Sequence, residues 1–160
     1  MKRILKWGFV GIVAVAALLQ LTNPSRTNPP VVSGHELFPP GHAQPPVATT
    51  MRAACYDCHS NETKWPWYSH VAPVSWLVAS DVKAGRARMN FSDWPTDHPD
   101  RAAKRLGDIS EEVQNGEMPP GNYKSMHPEA RLTQAQRDQI IQWADEAAKQ
   151  LRDVPAGAAR

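Results

Sequence analysis

Beyond Cys55 and Cys58 the chain of 160 residues has no cysteine. A fold stapled by several disulfides, as small secreted domains use, is therefore excluded. No stretch of useful length alternates apolar and polar residues, which argues against a β-sheet and for an all-α chain. Basic residues form no stripe, so a nucleic-acid partner is not indicated. Paired-carboxylate and nucleophile–base patterns are absent as well, and no catalytic activity of its own is indicated. Apolar runs are also scarce, with one exception at the N-terminus.

Charge is distributed unevenly. Lys2, Arg3, Lys6 and Arg26 face Glu36 alone in the first 46 residues, whereas from Val47 onward 14 Lys and Arg meet 15 Asp and Glu. The excess positive charge lies beside the one apolar run, Trp7 to Leu21. Residues 1–22 thus read as a signal anchor or a signal peptide. Trp7 to Leu21 spans about 22 Å as a helix, short of the roughly 20 residues a bilayer asks for. Counting from Ile4, with Lys6 snorkelling, makes the span feasible. Ala14-Val15-Ala16 is the one candidate cleavage signal, and the balance favours an uncleaved anchor. The positive residues stay inside, so the remainder is expected outside. It would be periplasmic and held at the bacterial cytoplasmic membrane, or soluble in the periplasm if the leader is cut.

Residues 23–46 hold seven of the fifteen prolines. The pairs Pro29-Pro30, Pro39-Pro40 and Pro45-Pro46 favour polyproline geometry and predict a semi-rigid spacer. His35 and His42 lie there and are poor ligand candidates, because a mobile linker does not preorganise a bond.

The domain is expected over 47–152, with a flexible tail over 153–160. A helix from Val47 to His59 carries Cys55-Tyr56-Asp57-Cys58-His59. Pro66 interrupts the aromatic segment that follows. A helix from Pro73 to about Arg88 would turn Val74, Leu77, Val78 and Val82 inward. The helix Arg101 to Asn115 presents Ala102, Leu106, Ile109 and Val113 and stops at Gly116. Thr133 and Gln136 form a capping box opening a last helix to about Leu151, with Ile140, Ala144, Ala147 and Leu151 inward.

C-x-x-C-H is the signature of covalent c-type haem attachment. Each thiol can add to one vinyl group, and the histidine lies under the iron as its proximal ligand. Cys55 and Cys58 are the expected attachment points of one haem, and His59 the expected iron ligand. A thioredoxin-like pair, a structural zinc site and a plain disulfide compete with this reading. The first wants a βαβ neighbourhood, the second four ligands. Opposite His59, Met118 is the expected distal ligand. It stands before Pro119-Pro120, which stiffen its loop and bias it to an extended conformation. His127 is the alternative, with Met126, Met89, His70 and His98 behind it. Tyr123 is a candidate partner for a haem propionate.

These motifs bring a resemblance into view. The stretches CYDCHSNETKWPWYSHVAPVSWLV (55–78), GRARMNFSDW (85–94) and GEMPPGNY (116–123), with His127-Pro128 and the helix of Trp143, resemble the small exported haem-binding domains related to c-type cytochromes. The resemblance covers most of Thr27 to Leu151, with Asn28-Pro29-Pro30-Val31 at its start. It implies haem on Cys55 and Cys58, ligation by His59 and an exported, often membrane-tethered domain. Met118 is similar to the methionine of Met-Pro loops in mono-haem cytochromes c.

The functional expectation is a one-electron carrier with His/Met-ligated iron, exchanging electrons with redox proteins in or near the membrane. A haem enzyme or a gas or redox sensor with a labile sixth ligand is the alternative, and a zinc-binding structural module a further one.

Overall fold

The computed structural model describes residues 2–153, and every regular element among them is helical. Seven α-helices follow in order: α1 Lys2–Gln20, α2 Val47–Ala54, α3 Tyr56–His59, α4 Val74–Arg88, α5 Pro99–Gln114, α6 Gly121–Met126 and α7 Gln134–Asp153. Short 3-10 turns cover Trp67–His70 and Pro128–Ala130. The tail expected from residue 153 lies, apart from Asp153, outside the described residues.

The scaffold is the pair α5 and α7. Along α5, Ala102, Leu106, Ile109 and Val113 are all buried, as their spacing predicts. On α7, Ile140 and Ala144 are buried, but the next inward position is Ala148, with Ala147 half-buried. The capping box forms: the backbone N–H of Thr133 donates to Gln136 Oε1 at 2.9 Å, and that of Gln136 to Thr133 Oγ1 at 3.2 Å. Gly116, at φ +76°, ends α5 in the left-handed region, where a side chain would be strained.

Three expectations are corrected. The single helix over 47–59 is broken at Cys55, whose φ of −124° leaves the helical range. The break turns Tyr56 into the core beside Phe38 and Phe91, while Cys55, Cys58 and His59 stay half-buried at its edge. A continuous helix would have aimed Cys55, not Tyr56, at that side.

Secondly, the first turns of α4 face outward. Val82 and Ser75 are buried, but Val74 and Leu77 are exposed. The Ser75 hydroxyl is committed to Asn23 Oδ1, which fixes that face toward the incoming chain.

Thirdly, the proline-rich stretch is laid along the domain rather than holding it away. Prolines remove backbone donors but leave carbonyls open, and the domain supplies the donors. Asn61 Nδ2 donates to the Pro30 carbonyl at 3.0 Å, Arg86 Nη1 to that of Thr27 at 3.3 Å, and Arg52 Nη2 to that of Phe38 at 2.8 Å. Asn28 Nδ2 returns a bond to the Thr63 carbonyl at 2.9 Å. Phe38 is buried in the main core.

Candidate haem site

The C-x-x-C-H segment forms one helical turn. The N–H groups of Cys58 and His59 both point to the Cys55 carbonyl, at 3.3 and 3.0 Å. Both thiols are free. Burial pushes the Cys55 thiol up to about 12, and burial with the charges of Asp81 and Asp57 pushes Cys58 up to about 11. Neither thiol is a ready nucleophile at neutral pH, which sets the pair apart from an activated redox dithiol.

His59 is held from behind. Its Nδ1 lies 3.1 Å from the Met89 carbonyl, an acceptor only, so Nδ1 carries the hydrogen and donates. The Nε2 lone pair is then the free donor toward a metal. Burial lowers the pKa of His59, against hydrogen bonding to the Met89 and Gly85 carbonyls and the charge of Glu112. The imidazole is thus neutral, as ligation requires.

The segment 85–94 builds most of this setting. A Cβ on Gly85 would stand 2.5 Å from the Cys58 carbonyl oxygen, so α4 reaches the motif through a position that tolerates no side chain. Arg86 donates through Nε to the Ser60 carbonyl at 2.7 Å and through Nη2 to Thr63 Oγ1 at 2.8 Å and Asn28 Oδ1 at 2.7 Å. Phe91 donates its N–H to the His59 carbonyl at 2.6 Å and sets its ring 5.6 Å from the imidazole. From the sequence, only Met89 of this run has an expected role, as a rival distal ligand. Gly85 inside a helix, where glycine is unfavourable, was the available signal.

A second group of side chains ties the motif to the loop after α5. Tyr123 on α6 donates to Asp57 Oδ2 at 2.9 Å, and the Lys64 N–H donates to Asp57 Oδ1 at 3.0 Å. The Tyr123 ring stacks on His127 with centroids 4.0 Å apart. Burial, then the Asp57 charge, raises the pKa of both Tyr68 and Tyr123, so both phenols stay protonated donors. Tyr68 therefore donates to His127 Nε2 at 2.6 Å, which leaves Nδ1–H to donate to Glu129 Oε1 at 3.1 Å.

The expected site residues fall into two sets. Cys55, Cys58 and His59 share one turn. Met118 is half-buried against the core, and its N–H donates to the carbonyl of Glu112, whose side-chain charge reaches His59. His127 has both ring nitrogens engaged and would have to surrender one bond to bind iron. Met89 lies on the Nδ1 side of His59, not opposite it. Met126, His70 and His98 are exposed. Tyr123 spends its hydrogen on Asp57 rather than standing free for a propionate.

The donor chemistry fits a haem. Two unpaired thiols and an imidazole with a free Nε2 occupy one turn, and Trp65 Nε1 nearby in sequence is buried without a partner. Zinc fits less well: among the described residues no group of three or more His, Cys, Asp or Glu is gathered to hold an ion. The model of a family described as a haem-binding domain matches residues 14–146. No curated protein and no solved structure gave a significant match.

Proposed function

The chain belongs to the haem-binding domain family, and from that premise we propose that it is a membrane-tethered one-electron carrier of the c type. The haem would be joined to Cys55 and Cys58 and ligated by His59 and Met118. The observation that carries this reading is the Nδ1–H of His59 bonded to the Met89 carbonyl at 3.1 Å, which reserves Nε2 for iron. When bound, the haem supplies reversible one-electron chemistry at its iron. The chain's part would be to orient the imidazole, to keep it neutral, and to offer the soft neutral thioether of Met118 as a second ligand. A histidine–methionine pair favours reduced iron and raises the potential.

Two features support the carrier over a site of small-molecule chemistry. Met118 sits on a loop stiffened by Pro119 and Pro120 and anchored to α5 through Glu112. The Tyr123–Asp57 bond fixes α6, directly after that loop, onto the haem motif. Together they limit the freedom of the sixth ligand. For the tether, α1 is 19 residues long with a mean hydropathy of 1.5 and no buried residue. Lys2, Arg3 and Lys6 orient it with the domain on the outer, periplasmic side. Redox proteins in or near that membrane are the proposed partners.

Carbon monoxide added to the ferrous protein tests the carrier. A carrier with both axial positions filled keeps its spectrum or changes slowly and incompletely. Fast, complete formation of the carbonyl adduct marks an open or labile sixth position and overturns the reading.

A further inference from the structure

The apolar side chains at the start of α4 and in the 3-10 turn before it have no covering element among the described residues. Trp67 is 74% and Leu77 52% exposed, and Val71, Val74 and Trp76 are exposed beside them. Exposed apolar groups gathered this closely mark a contact surface.

The same segment, 70–76, holds the point where α1 joins the domain. Gln20, the last residue of α1, pairs its amide with the backbone of Ala72: the Ala72 N–H donates to Gln20 Oε1 at 3.2 Å, and Gln20 Nε2 to the Ala72 carbonyl at 3.5 Å. Trp76 Nε1 donates to the Thr22 carbonyl at 3.1 Å. Asn23 accepts from Ser75 and donates to the His70 carbonyl at 3.3 Å. No slack separates the helix from the domain while these bonds hold.

We propose that this edge is a membrane-docking face, resting in the outer interfacial layer of the bilayer that α1 crosses. The proposal rests on the reading of α1 as a retained anchor. From Ile4 to Gln20 the helix spans about 25 Å, near the hydrocarbon thickness of roughly 30 Å, so Gln20 ends at the interface. Residues bonded directly to Gln20, Thr22 and Asn23 must then lie at the same level. Tryptophan is the side chain enriched at that level, where its ring meets lipid and its N–H meets polar groups; Trp76 stands there, and Trp67 opens the 3-10 turn that ends at His70, whose carbonyl Asn23 bonds. The family match begins at residue 14, inside α1, so the family pattern takes in the end of this helix as well as the domain. Haem is the rival occupant for Trp67, whose neighbour Tyr68 is reached by the charges of Asp57 and Cys58, but not for the start of α4. From Val74 to Gly85, where α4 meets Cys58, is about 16 Å along the helix. Docking therefore fixes the haem motif at a set height above the lipid rather than at the end of a swinging tether.

The test uses full-length holoprotein in phosphatidylcholine–phosphatidylglycerol vesicles doped with a lipid bearing a photoactivatable diazirine near its headgroup. After illumination, adducts are mapped by peptide mass spectrometry. Adducts are expected within 67–77 as well as on α1. In the double variant Trp67→Ser, Leu77→Ser they should be lost from 67–77, persist on α1, and leave the haem absorption spectrum unchanged. Adducts on α1 with none in 67–77 of the unmodified protein would mean a domain standing off the membrane, and would overturn the docking face alone. Absence of adducts on α1 itself would overturn the anchor and the docking face with it. A shifted haem spectrum in the variant would assign the patch to the haem seat and equally overturn the proposal.

Discussion

Tyr123 and Asp57 are joined by a 2.9 Å hydrogen bond between residues 66 positions apart in the chain. One lies inside the C-x-x-C-H turn and the other three residues past the Met118-Pro119-Pro120 loop. Through this bond the segment proposed to hold the haem and the segment proposed to complete its coordination are positioned together.

Tyr123→Phe removes that bond and leaves the stacking on His127. A hydrogen bond to a charged acceptor contributes about 1–2 kcal/mol when partly exposed, so the melting temperature should fall by roughly 5–10 °C for a domain of this size. The potential should shift as well, because the sixth-ligand loop loses its tie to the motif. An unchanged melting temperature and potential would remove the bond from any structural role.

Met118→Ala should abolish the charge-transfer band between thioether sulfur and ferric iron and lower the reduction potential. Met126→Ala should change neither, since Met126 is 54% exposed. Should the band survive the first substitution and vanish with the second, the loop assignment is wrong. If the His127 imidazole fills that position instead, the unmodified protein shows no thioether band, and His127→Ala rather than Met118→Ala shifts the spectrum and the potential, although both its nitrogens are hydrogen-bonded.

Gly85→Ala is expected to destabilise despite its setting. In a helix interior alanine is favoured over glycine by about 1 kcal/mol. Here the added Cβ would lie 2.5 Å from the Cys58 carbonyl oxygen, a backbone atom that cannot swing aside. Overpacking of this kind costs about 1–3 kcal/mol, which reverses the sign. Denaturant unfolding of the holoprotein checks it, and a gain in stability would show that α4 does not press on the motif.

The thiols give a pH prediction for apoprotein that retains its native near-ultraviolet dichroism. The thiolate is the reactive form. Cys58, pushed up to about 11 from 9.0, holds about 100-fold less thiolate at pH 8 than an unperturbed thiol. Alkylation by iodoacetamide should be slow by that factor and keep rising about tenfold per pH unit through pH 9 and 10. A plateau near pH 9 would mean an exposed, ordinary thiol.

Much of this was legible in the sequence. The α5 stripe, the Thr133–Gln136 cap and the absence of strands followed from periodicity and capping chemistry, which are local. C-x-x-C-H was legible because its chemistry lies within five consecutive residues. What escaped depends on groups far apart in the chain. The carbonyl that orients His59 comes from Met89, and any residue type could have supplied it. Arg86 is one basic residue among eighteen Lys and Arg in the sequence, yet it binds two segments, 27–28 and 60–63. The proline-rich stretch 23–46 reads as a spacer because its composition does not reveal that Arg52, Asn61 and Arg86 donate to the carbonyls of Phe38, Pro30 and Thr27. The outward turn of Val74 and Leu77 broke a helical pattern that was otherwise well formed, and it did so where the chain leaves α1.

Covalent attachment at Cys55 and Cys58 is tested most directly by the alkaline pyridine haemochrome spectrum, read with the intact mass, of protein made in a cell with the c-type maturation machinery. A thioether-type spectrum, a mass increased by one haem and no titratable thiol are expected. Colourless or zinc-loaded protein, or haem that extracts freely while both thiols titrate, would contradict it.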